Sequence, residues 1–475
     1  MRTGLGSLPH PAFCFCVRDR ARLRDLMAHS EDTIAALATP AGTAALAVIR
    51  ISGPEAARLA AELLGRTPPP RSAIRGDYRD RAGALLDDAL FTFFPAPKSY
   101  TGEDVLEISG HGNPFLAQRL LEDLHARGCR PAEPGEFTRR SFLRGRLDLS
   151  QAEAVMDLIQ ARSERALAAA HHLLRGSLSR ELRVLADLVV GALATVEAYI
   201  DFPEEDLPPE DRAQLRQTLE VARARAQRLL ATRRYGDLLR DGIKTVIVGA
   251  PNAGKSSLLN RLVGRDRAIV SPEPGTTRDF IEERIVAGPH SLRLIDTAGL
   301  NPAPAPLERL GIEKTRSCID ESDIILLVCD AAAAGPDPAA IPPGIDPEKT
   351  LLVLNKVDLP AAAGAAVPAG WTGVRVSALS GEGCEELTAA IAAKADRLLP
   401  DDGPDGVVIN ARHAFSLQAV LEGLGQALTK LNQDIDSVLL ASDLRVALSA
   451  IGEISGKIDN ERVLDRLFAQ FCIGK

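Results

Sequence analysis

The period of the hydrophobic pattern changes three times along the chain. From about residue 31 to 147, short apolar runs such as Ala45-Leu46-Ala47-Val48-Ile49 and Asp104-Val105-Leu106-Glu107-Ile108 alternate with helix-period stretches at 55–64 and 114–127. That alternation predicts a separate α+β domain. From Gln151 to about Arg240 the pattern turns helical, with Ala166-Leu167-Ala168-Ala169-Ala170 and with Leu182, Val184, Leu185 and Leu188 at spacings that include three and four. The stretch Asp201-Phe202-Pro203-Glu204-Glu205-Asp206-Leu207-Pro208-Pro209 ends one helix and caps the next. Strands return at 244–248, 292–295, 351–354 and 374–376, and a second helical block runs from about Ala411 to Phe471. Neither helical block has a complete partner of its own. The pattern therefore predicts one helical domain built from both, at 148–240 and 400–475, with a strand-rich domain, 241–399, inserted between them behind an N-terminal domain at 27–147.

The inserted domain carries the chemistry. Its first strand, Lys244 to Val248, leads into Gly249-Ala250-Pro251-Asn252-Ala253-Gly254-Lys255-Ser256 and then Ser257-Leu258-Leu259, the strand-before, helix-after context of a phosphate-binding loop. The glycines let backbone N–H groups converge on phosphate, Lys255 neutralises the outer phosphates, and the Ser256 hydroxyl is placed to ligate Mg²⁺. Three further stretches specify guanine. Asp296-Thr297-Ala298-Gly299 closes a strand where a carboxylate can hold a Mg²⁺ water and a glycine N–H can meet the γ-phosphate. Asn355-Lys356-Val357-Asp358 ends in a carboxylate that accepts the N1 and N2 hydrogens guanine offers and adenine lacks. Ser377-Ala378-Leu379 is placed to give O6 a backbone N–H.

Between these motifs, Pro274-Gly275-Thr276-Thr277-Arg278-Asp279 lies in the first switch position, with Thr277 as the second Mg²⁺ ligand. Leu300 follows Gly299, where Ras-like proteins have the glutamine that positions attacking water, so another group must do that work. Glu308 and Glu313 are the downstream carboxylates able to orient a bridging water, and Glu308 is preferred.

The Asn-Ala-Gly-Lys-Ser loop, the Gly-Thr-Thr-Arg-Asp switch, the leucine after Asp-Thr-Ala-Gly and the terminal Phe471-Cys472-Ile473-Gly474-Lys475 resemble the MnmE (TrmE) family of tRNA modification GTPases. The resemblance runs from about residue 31 to the end. It includes Ile49-Arg50-Ile51-Ser52-Gly53, Thr101-Gly102-Glu103-Asp104, Pro134-Gly135-Glu136-Phe137-Thr138 and Leu147-Asp148-Leu149-Ser150-Gln151. It implies a multidomain α/β and α architecture: an N-terminal α+β folate-binding domain that dimerises, a discontinuous helical domain and an inserted Ras-like P-loop GTPase domain. It further implies K⁺ seated between two facing GTPase domains, with Asn252, Ser271, Glu273 and Thr276 as its oxygen ligands, and Ser271 to Thr277, including Pro272, Pro274 and Gly275, against the nucleotide. Glu308 matches the family's catalytic glutamate. Arg50, Glu107, Arg146 and the terminal Lys475 fall at the positions contacting a tetrahydrofolate derivative (5-formyl or 5,10-methylene), with Cys472 as a thiol near that pocket. Arg146 stands where lysine is usual, and Ala41-Gly42-Thr43-Ala44-Ala45 is poorer in glycine than the family's loop. The function implied is GTP hydrolysis coupled to C5 modification of the wobble uridine of tRNA, by a homodimer joined to an FAD-containing partner in a heterotetramer. The rival reading of the same motifs is a ribosome-assembly GTPase with a dedicated RNA-binding module after the GTPase domain.

Composition changes this picture little. A hydrophobic share of 45% and a charged share of 25% are ordinary for a soluble globular protein, and the net charge of −8 announces no global basic field for RNA. RNA contact would need local patches, Arg139-Arg140 with Arg144 and Arg146 or the set Arg223, Arg225 and Arg228, each equally readable as a solvated helix face. His171-His172 reads as a structural helix-face pair. Seven scattered cysteines without zinc spacing fit a reducing cytoplasm, and no apolar run is long enough to span a membrane. Residues 1–26 precede the family pattern, and Met27 is the expected start.

Overall fold

The computed structural model describes residues 32–201, 209–265, 282–296, 316–333, 345–398, 407–433, 436–456, 464, 467–469 and 471–474. They form two compact units, one comprising the chain up to Asp148 together with residues from Asp459 onward, the other Leu149–Ile458.

In the first unit the order is β1 (Ile34–Leu37), β2 (Leu46–Ser52), α1 (Ala56–Leu64), β3 (Ala73–Arg79), β4 (Leu85–Phe94), β5 (Val105–His111), α2 (Pro114–Ala126), β6 (Arg130–Pro131) and α3 (Glu136–Leu143). The strands make one sheet, β3-β4-β5-β2-β1-β6, antiparallel except for the β1–β6 pair. Alternation sets its two faces. Ile49, Ile51, Phe91, Leu106 and Ile108 are buried beneath Leu59 and Ala60 of α1 and Leu120 and Leu124 of α2. Helix α2 starts where Asn113 accepts from the N–H groups of Phe115 and Leu116, with Pro114 at its first position. On the opposite face, register aligns Leu46 with His111, Arg50 with Glu107 and Leu90 with Ser109. That face is covered toward β1, where Phe137 of α3 packs on Ile34 and Ala36. It is open elsewhere, leaving Leu46 and Leu90 exposed.

The end of the chain belongs to this unit. Leu464, Phe468 and Phe471 are buried, the last two rings 5.4 Å apart, and the Gly135 N–H donates to the Cys472 carbonyl at 3.4 Å. Beside it lies a buried ion network. Arg140, 3% exposed, donates to Glu136, to Glu103 at 3.1 Å and to Asp32, while Arg130 binds Asp32 and Glu136 and Arg144 binds Glu103. This corrects the surface reading for Arg140 alone, while Arg144 and Arg146 are exposed: Arg140 neutralises carboxylates of the interior, and a buried charge survives only with such partners.

The second unit opens with α4 (Leu149–Gln160), α5 (Glu164–Leu174), α6 (Ser177–Asp201), α7 (Pro209–Ala231) and α8 (Arg233–Asp241). Then come β7 (Ile243–Gly249), α9 (Lys255–Arg265), β8 (Glu282–Ala287), β9 (His290–Asp296), β10 (Ile324–Asp330), β11 (Thr350–Asn355), β12 (Gly373–Arg375) and α10 (Cys384–Leu398). Helices α11 (Ala411–Asn432) and α12 (Ser437–Ser455) complete the unit. α11 packs on α7 and α12, and α12 on α6, so helices from both sides of the sheet segment share one core that includes Leu185, Val189, Leu219, Leu417, Leu424 and Leu444. At the roots of the insertion, Arg240 of α8 grips Asp157 of α4 at 2.7 and 2.8 Å, and Glu153 of α4 receives Asn410 and Arg412. Arg225 of α7 is paired with Glu181, while Arg223 and Arg228 are exposed, as are His171 and His172 on α5.

Candidate nucleotide site and a second polar cluster

The sheet of the insertion runs β12-β11-β10-β7-β9-β8, five parallel strands with β8 antiparallel at the edge. Val328 of β10 stands beside Gly249, and Asp330 beside Asn355, so the loops after β7, β10 and β11 emerge together at the carboxyl ends of the strands, where open α/β sheets bind ligands.

The phosphate loop leaves β7 through Gly249. A Cβ there would lie 2.1 Å from the Val328 carbonyl oxygen, and one at Gly254, φ +95°, would lie 2.2 Å from Asn355 Nδ2. Only glycine lets the loop lie this close to its neighbours. Asn252 takes a left-handed φ of +64°, which asparagine tolerates, and is exposed. Lys255 Nζ bridges back over the loop to the carbonyls of Gly249 and Ala250, both at 2.9 Å, holding its charge over the cradle. Ser256 and Ser257 are exposed on the first turn of α9.

Asn355 links this loop to the base side. It is 2% exposed, donates from Nδ2 to the Ala253 carbonyl at 2.8 Å and accepts the Ala378 N–H on Oδ1 at 3.0 Å. Lys356, at φ +68°, turns the chain outward and pairs with Asp330 at 2.7 Å; the ammonium holds the Asp330 carboxyl below its ordinary range. Asp358 is exposed beyond that turn. Ser377 and Ala378 are buried, and Leu379 is 81% exposed. Asp296 is the last residue of β9. Ser271 through Thr277, Thr297, Ala298, Gly299, Glu308 and Glu313 lie outside the described residues. Sequence reasoning missed two members of the site. Asp330, the partner of Lys356, ends an ordinary buried strand, and Arg261, which reaches the Ala378 carbonyl, sits among ordinary helix residues.

A second cluster lies on the first unit. Arg50 donates from Nε to Glu107 Oε1 at 2.9 Å and from Nη1 to the Gly474 carbonyl at 3.3 Å. Its guanidinium carbon stands 5.4 Å from the Tyr100 ring centre and 5.7 Å from that of Phe137, two aromatic walls of which only Phe137 lies in a stretch singled out in the sequence. Cys472 is exposed close by in sequence, and Lys475 lies outside the described residues. Arg146 is exposed and donates to the Pro97 carbonyl at 2.8 Å, a different anchor from that of Arg50 and Glu107.

No helix among the described residues is long and apolar enough to cross a membrane. The TrmE N-terminus family, described as a GTP-binding protein, matches residues 33–146, and the MnmE helical domain family matches 149–472. The tRNA modification GTPase MnmE of Opitutus terrae is 61% identical over 450 residues, covering 94% of this chain and 99% of that protein. The protein of the same name from Akkermansia muciniphila is 45% identical over 461 residues, covering 94% and 100%. Among solved structures, the G domain of the T. maritima FeoB iron transporter is 23% identical with a TM-score of 0.22, covering 32% of this chain and 98% of that one. With residues 249–256 and 377–379 joined through Asn355, and with relatives matched over nearly their whole length, this chain is a GTPase that belongs to the MnmE family of tRNA modification GTPases.

Proposed function

We propose that this chain is the GTP-hydrolysing component of the machinery that modifies C5 of the wobble uridine, position 34, of tRNA, adding an aminomethyl or carboxymethylaminomethyl group. It works as a homodimer with an FAD-containing partner in a heterotetramer, on a folate one-carbon unit. The observation that carries this reading is the path of the chain beyond the GTPase sheet. α11 and α12 fold back onto α6 and α7, and the final residues pack in the first unit beside Arg50 and Glu107. A ribosome-assembly GTPase would instead have a separate RNA-binding module there. In the proposed division, 27–147 binds folate and dimerises, 148–240 and 400–475 form the helical body, and 241–399 is the GTPase domain.

At the nucleotide site, Lys255 neutralises the outer phosphates and Asp358 selects guanine. Ser256 and Thr277 are the Mg²⁺ ligands; the exposed Ser256 hydroxyl at the helix start fits that role. Mg²⁺ when bound offsets charge on the phosphates. Asn252, exposed at a left-handed turn of the loop, fits a ligand for K⁺, with Ser271, Glu273 and Thr276 completing the set. Because Leu300 replaces the water-positioning glutamine, Glu308 orients the attacking water. On the first unit, Glu107 retains lone pairs beyond its bond to Arg50, which suits a pterin edge, and Tyr100 and Phe137 supply flat apolar walls. A folate bound there supplies the one-carbon unit. Arg146 and Lys475 are assigned to its charged tail. The open sheet face with exposed Leu46 and Leu90 supports the homodimer.

Two expected outcomes test the reading. In a strain lacking the gene, hydrolysed tRNA analysed by mass spectrometry should lose the C5-modified wobble uridines, and normal levels would overturn the assignment to modification. Purified protein should hydrolyse GTP at least about 10-fold faster in K⁺ than in Na⁺ buffer, as expected when a cation supplies charge at the transition state. Equal rates would remove the K⁺ site and leave the rest of the proposal standing.

A further inference from the structure

Two tethers hold the segment Ser377-Ala378-Leu379 to the phosphate-loop side of the site. Asn355 is the first. The second is Arg261, on the helix that begins with Lys255 and Ser256, which donates from Nε to the Ala378 carbonyl at 3.1 Å and from Nη2 to the Leu379 carbonyl. No motif or comparison gives Arg261 a role.

The fork has a geometric consequence. In a trans peptide the C=O and N–H point in opposite directions, so drawing the Ala378 carbonyl to Arg261 turns the Leu379 N–H away from it. The N–H of Ala378 is engaged by Asn355 Oδ1 at 3.0 Å, and that of Ser380 donates to Ser377 Oγ at 3.1 Å. Among the described residues, the Leu379 N–H has no protein acceptor, and its side chain stands 81% exposed. Of the donors in this segment, it is the one left for a base.

We propose that Arg261 is a positioning residue for guanine recognition. By pinning two successive carbonyls it presents the Leu379 N–H to the base O6 and locks the base loop to the helix that carries the phosphate ligands. This deepens the assignment of the site to guanine nucleotides and rests on it. Arginine suits the task because its planar fork spans two neighbouring oxygens, which the point charge of lysine cannot do in one geometry.

The test uses the full chain, Arg261→Ala and Arg261→Lys, with dissociation constants measured by displacement of a fluorescent nucleotide. GDP is compared with 6-thio-GDP, whose sulfur is a weak acceptor, and with IDP, which lacks the N2 donors and so reports on Asp358. R261A should weaken GDP roughly 10-fold, the scale of one aligned hydrogen bond, while 6-thio-GDP weakens far less, so the ratio between them collapses. The GDP-to-IDP ratio should hold, KM for GTP should rise with kcat little changed, and R261K should fall between wild type and R261A. The proposal is overturned if the GDP-to-6-thio-GDP ratio is unchanged in both variants, or if all three nucleotides weaken by the same factor. A wild-type protein that binds ADP as well as GDP would instead sink the guanine assignment itself.

Discussion

Asp358→Asn should invert the base preference, turning a protein that binds GTP into one that binds XTP. Guanine presents N1–H and an exocyclic amine, two donors that a carboxylate accepts side by side. Xanthine keeps N1–H but has a carbonyl in place of the amine, so it presents one donor and one acceptor, which an amide matches and a carboxylate does not. The frame around the position favours a clean exchange. Asn355 is buried between Ala253 and Ala378, Lys356 is tied to Asp330, and Asp358 stands exposed past that turn. Sites built to hydrogen-bond a polar group reject analogues that leave it unpaired by about 10⁴–10⁵-fold, and this sets the scale of the expected loss for GTP. Hydrolysis assays with GTP and XTP on D358N and wild type measure it. A variant that still prefers GTP would remove Asp358 from the base site.

What the sequence made legible has a physical pattern. β7, β10 and β11 are buried on both faces, and such strands read as continuous apolar runs whatever surrounds them. The helical break expected at 201–209 falls on residues 202–208, which lie outside the described residues; helix is described up to Asp201 in α6 and from Pro209 in α7. Local rules also place Gly249, Gly254 and Lys255. Arg140 was misread because its partner Asp32 lies 108 positions away, and spacing along one helix says nothing about carboxylates brought in by distant strands. The Arg261 fork and the Tyr100 wall beside Arg50 were hidden for the same reason. Resemblance alone pointed the chain's end toward Arg50; nothing in the periodicity of residues 464–474 ties them to β2, yet Gly474 accepts from Arg50 across 424 positions.

Glu153→Ala should be among the most destabilising single changes in the helical body, and the same residue should make stability fall in acid. Glu153, 9% exposed on α4, accepts Arg412 Nε at 2.7 Å, Arg412 Nη2 at 3.1 Å and Asn410 Nδ2 at 3.0 Å, with His413 Nε2 2.7 Å from Oε2. It thus fastens the helix before the inserted domain to the one after it. Truncation leaves a half-buried guanidinium and a buried imidazole facing an empty site, and removing one partner of such a group costs about 3–5 kcal/mol. Burial pushes the Glu153 carboxyl up, but His413 and Arg412 outweigh it and bring it down to about 2 from an ordinary 4.5. Burial also lowers His413 from its ordinary 6.5 against the pull of Glu153, so the folded protein holds a proton on this ring less readily than the unfolded chain does. Both groups act with one sign. Below 6.5 the unfolded chain binds a proton at His413 that the folded protein does not, and between 4.5 and about 2 the same holds at Glu153, so stability falls as pH falls. Thermal unfolding should therefore show a midpoint that declines below pH 6.5 and more steeply below 4.5. Glu153→Gln should lose the lower limb and keep the upper, because it removes the carboxylate and leaves His413 buried. A wild-type midpoint that stays flat down to pH 4, or an E153A protein that melts with wild type at neutral pH, would mean that α4 and α11 are held together by their apolar contacts alone.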